Sequence, residues 1–169
     1  GGNYELLNVT DSSTDVTIED TIDTVYARIV TDDSTSEGGI LTHTVELYTI
    51  DEFNVEHNYI VETGDIVTVN LTYGDLDTAD DPDDYIQIPS VQITEGNYDK
   101  TVEISTVNDS DLEEDETYTI SISGISSSLG TFEDTSTSGE VTGTIFDNDF
   151  ITLADKIVLN EISFFHFNF

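Results

Sequence analysis

Cysteine, methionine and tryptophan are absent from this 169-residue chain, and lysine and arginine together number three. The lack of cysteine excludes disulfides, thiolate metal sites and cysteine nucleophiles. It leaves the compartment open, because bound metal ions can cross-link a large bacterial surface protein that has no disulfides. The scarcity of basic residues excludes nucleic acid and anionic membranes as direct partners, since both are recognised through positive charge. No apolar run has the length of a membrane-spanning helix or the pattern of a signal peptide, so no direct membrane insertion is expected. The chain opens on Gly1-Gly2 instead of Met and reads as a piece of something longer.

What the chain has in excess is acid: 37 Asp and Glu residues give a formal net charge of -34. Self-repulsion at that charge destabilises a compact state, so salt or bound cations must offset it. The composition still argues for a fold. Hydrophobic residues make up 36% of the chain, enough for a core in a chain of single-domain size. Val, Ile, Thr and Tyr recur in regular alternation, which disordered acidic chains lack.

Residues 15–19, 24–30, 40–50, 65–73, 101–107, 118–123 and 141–145 follow a period of two, and no window shows a 3.6-residue repeat. Leu41, His43, Val45 and Leu47 share one face of their run; Val67, Val69, Leu71 and Tyr73 share one face of theirs. Runs of this kind, separated by Gly, Asp, Asn and Ser clusters, predict an all-β protein, an antiparallel β-sandwich. Residues 2–20 and 130–147 echo each other. Both run Gly-x-aromatic-Glu, then a Ser/Thr/Asp turn, then Val-Thr and Ile-x-Asp, with Gly-Thr interposed in the second. Tandem arrays produce such echoes. Residues 1–23 then read as the last strand of a preceding repeat with its linker, 24–149 as a complete module, and 150–169 as the start of a following segment or an appended tail. The strongly apolar residues 162–169 are unlike the rest.

The densest acidic stretch is Val107-Asn-Asp-Ser-Asp-Leu-Glu-Glu-Asp-Glu-Thr-Tyr118, with Asp109, Asp111, Glu113, Glu114, Asp115 and Glu116 inside eight consecutive positions. Two carboxylates ~4 Å apart repel by about 4 kcal/mol at an effective dielectric near 20. A solvated loop explains one such run. Others, however, stand at further strand ends: Glu37; Asp80, Asp81, Asp83 and Asp84; Asp147 and Asp149; and Asp20 and Asp23 as upstream counterparts. Strands alternate direction in a sandwich, so clusters two strands apart share an end. This favours a hard divalent cation held by oxygens. Calcium accepts roughly six to eight oxygens in flexible geometry, whereas magnesium prefers to keep its waters. An EF-hand is excluded, because Glu114 stands where that loop needs Gly and Ile120 where it needs Glu.

Four of these places resemble the Calx-beta family, sandwich modules of sodium/calcium exchangers, integrin subunits and repetitive bacterial adhesins. Ser36-Glu37-Gly38 matches in part the family's Ser-x-Glu-Gly, and Asp84-Tyr85 matches the Asp-Tyr that ends an acidic loop. Asp109 through Glu114-Asp-Glu-Thr-Tyr118 is similar to its Asp-rich turn, and Gly143-Thr-Ile-Phe-Asp-Asn-Asp149 to its Gly-Thr-Ile-x-Asp-x-Asp. The resemblance covers residues 30–149 and implies an Ig-like Greek-key sandwich. It implies Ca2+ ligands at Glu37, Asp84, Asp109, Asp111, Glu113, Glu116, Asp147 and Asp149, Asp111 through either its carboxylate or its backbone carbonyl. Asn148 stands where many members have a third Asp, an exchange that would remove a ligand or lower affinity. The upstream strand carrying Asp20 and Asp23 is similar to repeat junctions of large RTX-type bacterial adhesins, in which calcium stiffens the chain into a rod.

The resemblance thus implies a calcium-dependent extender module of a repetitive adhesin at the bacterial cell surface, monomeric, with neighbouring repeats of the same chain as partners. The alternative is an adhesin domain that binds a host or surface glycan or peptide through residues 48–65, which fit no family motif. An exposed aromatic cluster there would favour it. Catalysis is not expected: the carboxylates crowd at turns instead of facing each other as a hydrolytic pair, and His43, His57 and His166 are isolated in sequence.

Overall fold

The computed structural model describes residues 24–74 and 78–150. They form ten strands and, among the described residues, no helix: β1 (Thr24–Val30), β2 (Asp33–Ser36), β3 (Ile40–Ile50), β4 (Glu56–Asn58), β5 (Ile66–Tyr73), β6 (Ser90–Thr94), β7 (Asp99–Ser105), β8 (Glu116–Ser127), β9 (Asp134–Ser138) and β10 (Glu140–Phe146). One five-stranded sheet runs β4-β3-β1-β9 with β7 also paired to β3; the other runs β2-β10-β8-β5-β6. The expected all-β sandwich is what forms.

Pairing is antiparallel except at two places, where β1 runs parallel to β9 and β10 parallel to β2. The reason lies in two matched crossings. Thr31, at φ 80°, sends the chain from β1 in one sheet to β2 in the other, and Gly139, at φ 85°, does the same between β9 and β10. The two interrupted runs travel side by side in one direction, so their contacts are parallel. Glycine is required at 139, because a Cβ there would stand 2.4 Å from the Ile29 carbonyl oxygen.

Between the sheets lie the alternate residues of each strand, among them Ala27, Ile29, Leu41, Val45, Leu47, Val67, Val69, Ile93, Ile104, Tyr118, Ile120 and Val141, all buried. His43 is buried with them. Its Nδ1 bonds the Thr31 carbonyl oxygen at 2.7 Å and its Nε2 bonds the Tyr118 hydroxyl at 2.8 Å. A carbonyl only accepts, so Nδ1 carries a proton and donates to it, while Nε2 and the Tyr118 hydroxyl share the second bond. The imidazole thereby ties the sheet crossing at Thr31 to β8. Tyr118 in turn stacks on Tyr85 at 4.6 Å between ring centres, which seats the loop before β6 against the core.

At the opposite end of the sandwich from the acidic loops, Asp65 is buried. It accepts hydrogen bonds from the Ser127 and Ser128 hydroxyls at 2.7 and 2.8 Å and from the Ile66 and Leu129 amides at 2.7 and 3.2 Å. Burial alone would raise its pKa; the four donors outweigh it and leave the carboxyl lowered to about 2. Residues 48–65 present no exposed aromatic cluster. Tyr48 is buried beneath the Arg28 guanidinium, 4.8 Å from its ring centre, and Tyr59 packs edge-on against Phe132. Of the phenylalanine and tyrosine rings of this stretch, only Phe53 is exposed.

Candidate metal centre

Four segments meet at one end of the sandwich: the turn after β2, the loop before β6, the long loop between β7 and β8, and the exit from β10. Backbone bonds stitch them together. Glu37 N donates to Phe146 O at 3.1 Å, Gly38 N to Val107 O at 3.3 Å, and Val107 N to Asp84 O at 2.8 Å. Glu113 N donates to Asp147 Oδ2 at 3.1 Å. Gly38 turns with φ +72° and lies so close to Asn108 that a side chain would press on it. The alternation of strands brings the loops to one end; these bonds bring their carboxylates together.

Two groups of three result. Glu37, Asp147 and Asp149 form one, and Asp84, Glu113 and Glu116 the other; in each, one oxygen per residue lies within 4.8 Å of those of the other two. Oxygens that share a calcium ion at bond lengths of about 2.3–2.6 Å lie no more than about 5.2 Å apart, so both groups have the span of a coordination shell. Buried oxygens test the fit further. Glu37 Oε2 and Asp149 Oδ2 are enclosed and have no hydrogen-bond partner, although buried carboxylate oxygens are ordinarily paired. Among the described residues the ion pairs are Arg28 with Glu46 and Glu56, and His57 with Asp51. None reaches this end. An all-oxygen, all-anionic donor set with orphaned buried atoms fits a hard divalent cation.

The protonation energetics agree. Burial, then the charges of Asp147, Asp109, Asp149 and Glu113, raise the pKa of Glu37. Burial raises Glu113 as well, followed by Asp109, Asp84, Asp111 and Asp147. Glu116 is pushed up to about 7, by burial first and then by its hydrogen bond to Asp84, with the charges of Asp84, Glu113 and Asp80 adding to it. Without a cation, burial and mutual repulsion disfavour the ionised form of each of these groups.

Of the residues expected from the sequence, Glu37, Asp84, Glu113, Glu116, Asp147 and Asp149 fall into the two groups. Asp109 and Asp111 do not join either. Asp109 accepts from the Asp111 amide at 2.7 Å, and both flank the groups, where their charges act on Glu113. Asp20 and Asp23 lie outside the described residues. Asp80, which was not among the expected ligands, adds its charge to Glu116 and donates its amide to Asp84 Oδ2 at 2.6 Å. Asn148, expected to remove a ligand or lower affinity, uses its side chain as a hydrogen-bond donor. Its amide donates to Glu37 O at 3.2 Å and to Asn108 Oδ1 at 3.0 Å.

Solved structures share this arrangement of strands. The apo form of the Calx CBD1 domain superposes with a TM-score of 0.54 at 17% identity, over 75% of this chain and 99% of that one. The fold is Calx-beta-like. CBD12 from CALX1.2 gives a TM-score of 0.53 at 18% identity over 73% of this chain and 46% of that one. The Calx CBD2 domain gives 0.50 at 10% identity over 82% and 94%. At such identities the likeness is one of fold. No protein-family profile and no characterised protein sequence matches the chain.

Proposed function

We propose that this chain is a calcium-binding structural module, an extender of a repetitive adhesin outside the bacterial cell, with neighbouring repeats of the same chain as its partners and no second copy required. The observation that carries the calcium reading is the pair of buried, unpartnered oxygens of Glu37 and Asp149 within a group of three carboxylates. Glu37, Asp147 and Asp149 would hold one cation, and Asp84, Glu113 and Glu116 another. A bound divalent cation supplies the positive charge that these carboxylates lack. Glu37 follows β2, Glu113 precedes β8 and Asp147 follows β10, so holding them together fixes the end from which the chain leaves the sandwich. The echo between residues 2–20 and 130–147 supports a row of such modules, with Asp20 and Asp23 at the upstream junction.

The reading as a sugar- or peptide-binding domain is the less favoured, since Phe53 is the single exposed Phe or Tyr ring of residues 48–65. Binding instead of catalysis also accords with the histidines: His43 is sealed in the core with both nitrogens engaged, and exposed His57 pairs with Asp51 at 2.9 Å.

The test is thermal unfolding at physiological salt with millimolar calcium, millimolar magnesium, or chelator. Free ligand at 100 times its dissociation constant adds about 2.7 kcal/mol per site. A rise in melting temperature specific to calcium is expected. Identical melting in the three conditions would mean that the acidic end is solvated surface and would refute the proposal.

A further inference from the structure

We infer that Asn148 is a positioning residue: its side-chain amide holds the carboxylate-bearing segments in a cation-ready arrangement before any ion arrives. The inference rests on the calcium reading above and deepens it by naming what keeps the acidic end assembled.

Asn148 sits between Asp147 and Asp149, at a place where a carboxylate would look like a further ligand. Chemistry decides otherwise. The Glu37 carbonyl oxygen, 3.2 Å away, can only accept. Asn108 uses its own amide nitrogen on the Asp109 carbonyl at 2.9 Å, which leaves its Oδ1 to face Asn148 at 3.0 Å. Position 148 therefore confronts two acceptors and needs two donors, which the asparagine NH2 supplies from one nitrogen. An aspartate would supply none when ionised. It would instead set a carboxylate against two oxygens, beside Glu37, Asp147 and Asp149.

The bonds made by Asn148 join three segments that each carry acid. The turn after β2 brings Glu37, the β7–β8 loop brings Asp109 and Glu113, and the β10 exit brings Asp147 and Asp149. Repulsion among these carboxylates drives the segments apart. Asn148 is a neutral tie across them, with the Glu37 N–Phe146 O and Gly38 N–Val107 O bonds alongside it. A frame that already stands binds an ion without first being drawn closed, and that pre-organisation appears as affinity.

The experiment is a calorimetric calcium titration of wild type, Asn148→Ala, Asn148→Asp, Asn108→Ala and the double alanine variant, with circular dichroism to verify folding and melting in chelator alongside. Loss of both hydrogen bonds predicts a dissociation constant weakened roughly 10- to 30-fold in Asn148→Ala. Asn148→Asp is expected to bind at least as poorly, despite its added charge. Asn108→Ala should show a smaller loss, and the double variant less than the sum of the two, because they share a bond. Tighter binding by Asn148→Asp would overturn the inference and make position 148 a missing ligand. Unchanged affinity in Asn148→Ala, with only its melting in chelator lowered, would overturn it in favour of a purely structural role. If wild type takes up no calcium, the calcium reading itself fails and the inference with it. A wild type that binds beside variants that bind equally well refutes the positioning role alone.

Discussion

Glu37→Gln is expected to move stability and calcium affinity in opposite directions. The change keeps the shape of the side chain and removes its charge. Oxygens of Glu37, Asp147 and Asp149 lie within 4.8 Å of one another. At that separation two unit charges repel by about 0.9 kcal/mol in water and about 3.5 kcal/mol at an effective dielectric near 20. All three residues are half-buried, so the truth lies between, and Glu37 faces two such neighbours. Solvent screens part of that repulsion, and burial and the neighbouring carboxylates raise the pKa of Glu37. A net gain of about 1–2 kcal/mol for the metal-free protein remains. In a domain of this size that is a melting temperature higher by about 3–10 °C. With calcium present the same change exchanges a carboxylate ligand for a neutral oxygen, and affinity should fall by about tenfold or more. Scanning calorimetry in chelator and across a calcium series reads both effects. A variant that melts lower than wild type in chelator, or whose calcium-induced rise equals that of wild type, would refute the reasoning.

Acidity offers a second test. A carboxyl whose folded pKa is raised contributes stability below its unfolded value and loses it as pH climbs through the folded one. For Glu116 the window runs from 4.5 to about 7. The metal-free protein should therefore melt lower above that window than within it, calcium should reverse the trend, and calcium uptake near neutrality should release protons, seen as a buffer-dependent heat of binding. Asp65 has the opposite sign, its stabilisation being present above 3.8 and lost as pH falls through about 2. Asp65→Ala removes the acceptor of the Ser127 and Ser128 hydroxyls and leaves the Ile66 and Leu129 amides only the Ser128 and Ser127 oxygens; it should cost about 2–4 kcal/mol in urea unfolding, and a loss below about 1 kcal/mol would contradict the buried cluster. Gly143→Ala would place a Cβ 2.3 Å from the Tyr118 ring, and displacing that ring should cost about 3 kcal/mol or more, with wild-type stability counting against the packing described.

The strands legible in the sequence were those that bury one face. Thr24–Val30, Ile40–Ile50, Ile66–Tyr73 and Glu140–Phe146 alternate because every second side chain enters the core. Three others carry no such alternation. Asp33–Ser36, Glu56–Asn58 and Asp134–Ser138 contain no buried residue; they are sheet edges held by backbone bonds, which leave no mark on residue type. Ser90–Thr94 does alternate, through Val91 and Ile93, and its shortness hid it. The parallel contacts of β1 with β9 and β2 with β10 were equally invisible, since they follow from two local turns, at Thr31 and Gly139.

By itself the sequence determined the sandwich and the acidity of its loops, because period-two burial and net charge are properties of the residues in order. Only the tertiary structure decided which carboxylates converge. Asp109 and Asp147 are equally acidic on the page and each accepts the amide two residues on, yet only Asp147 comes together with Glu37 and Asp149. It alone revealed that Asn148 faces two acceptors. Charge is carried by each residue wherever it goes, whereas the direction of a side chain is set by partners distant in the chain.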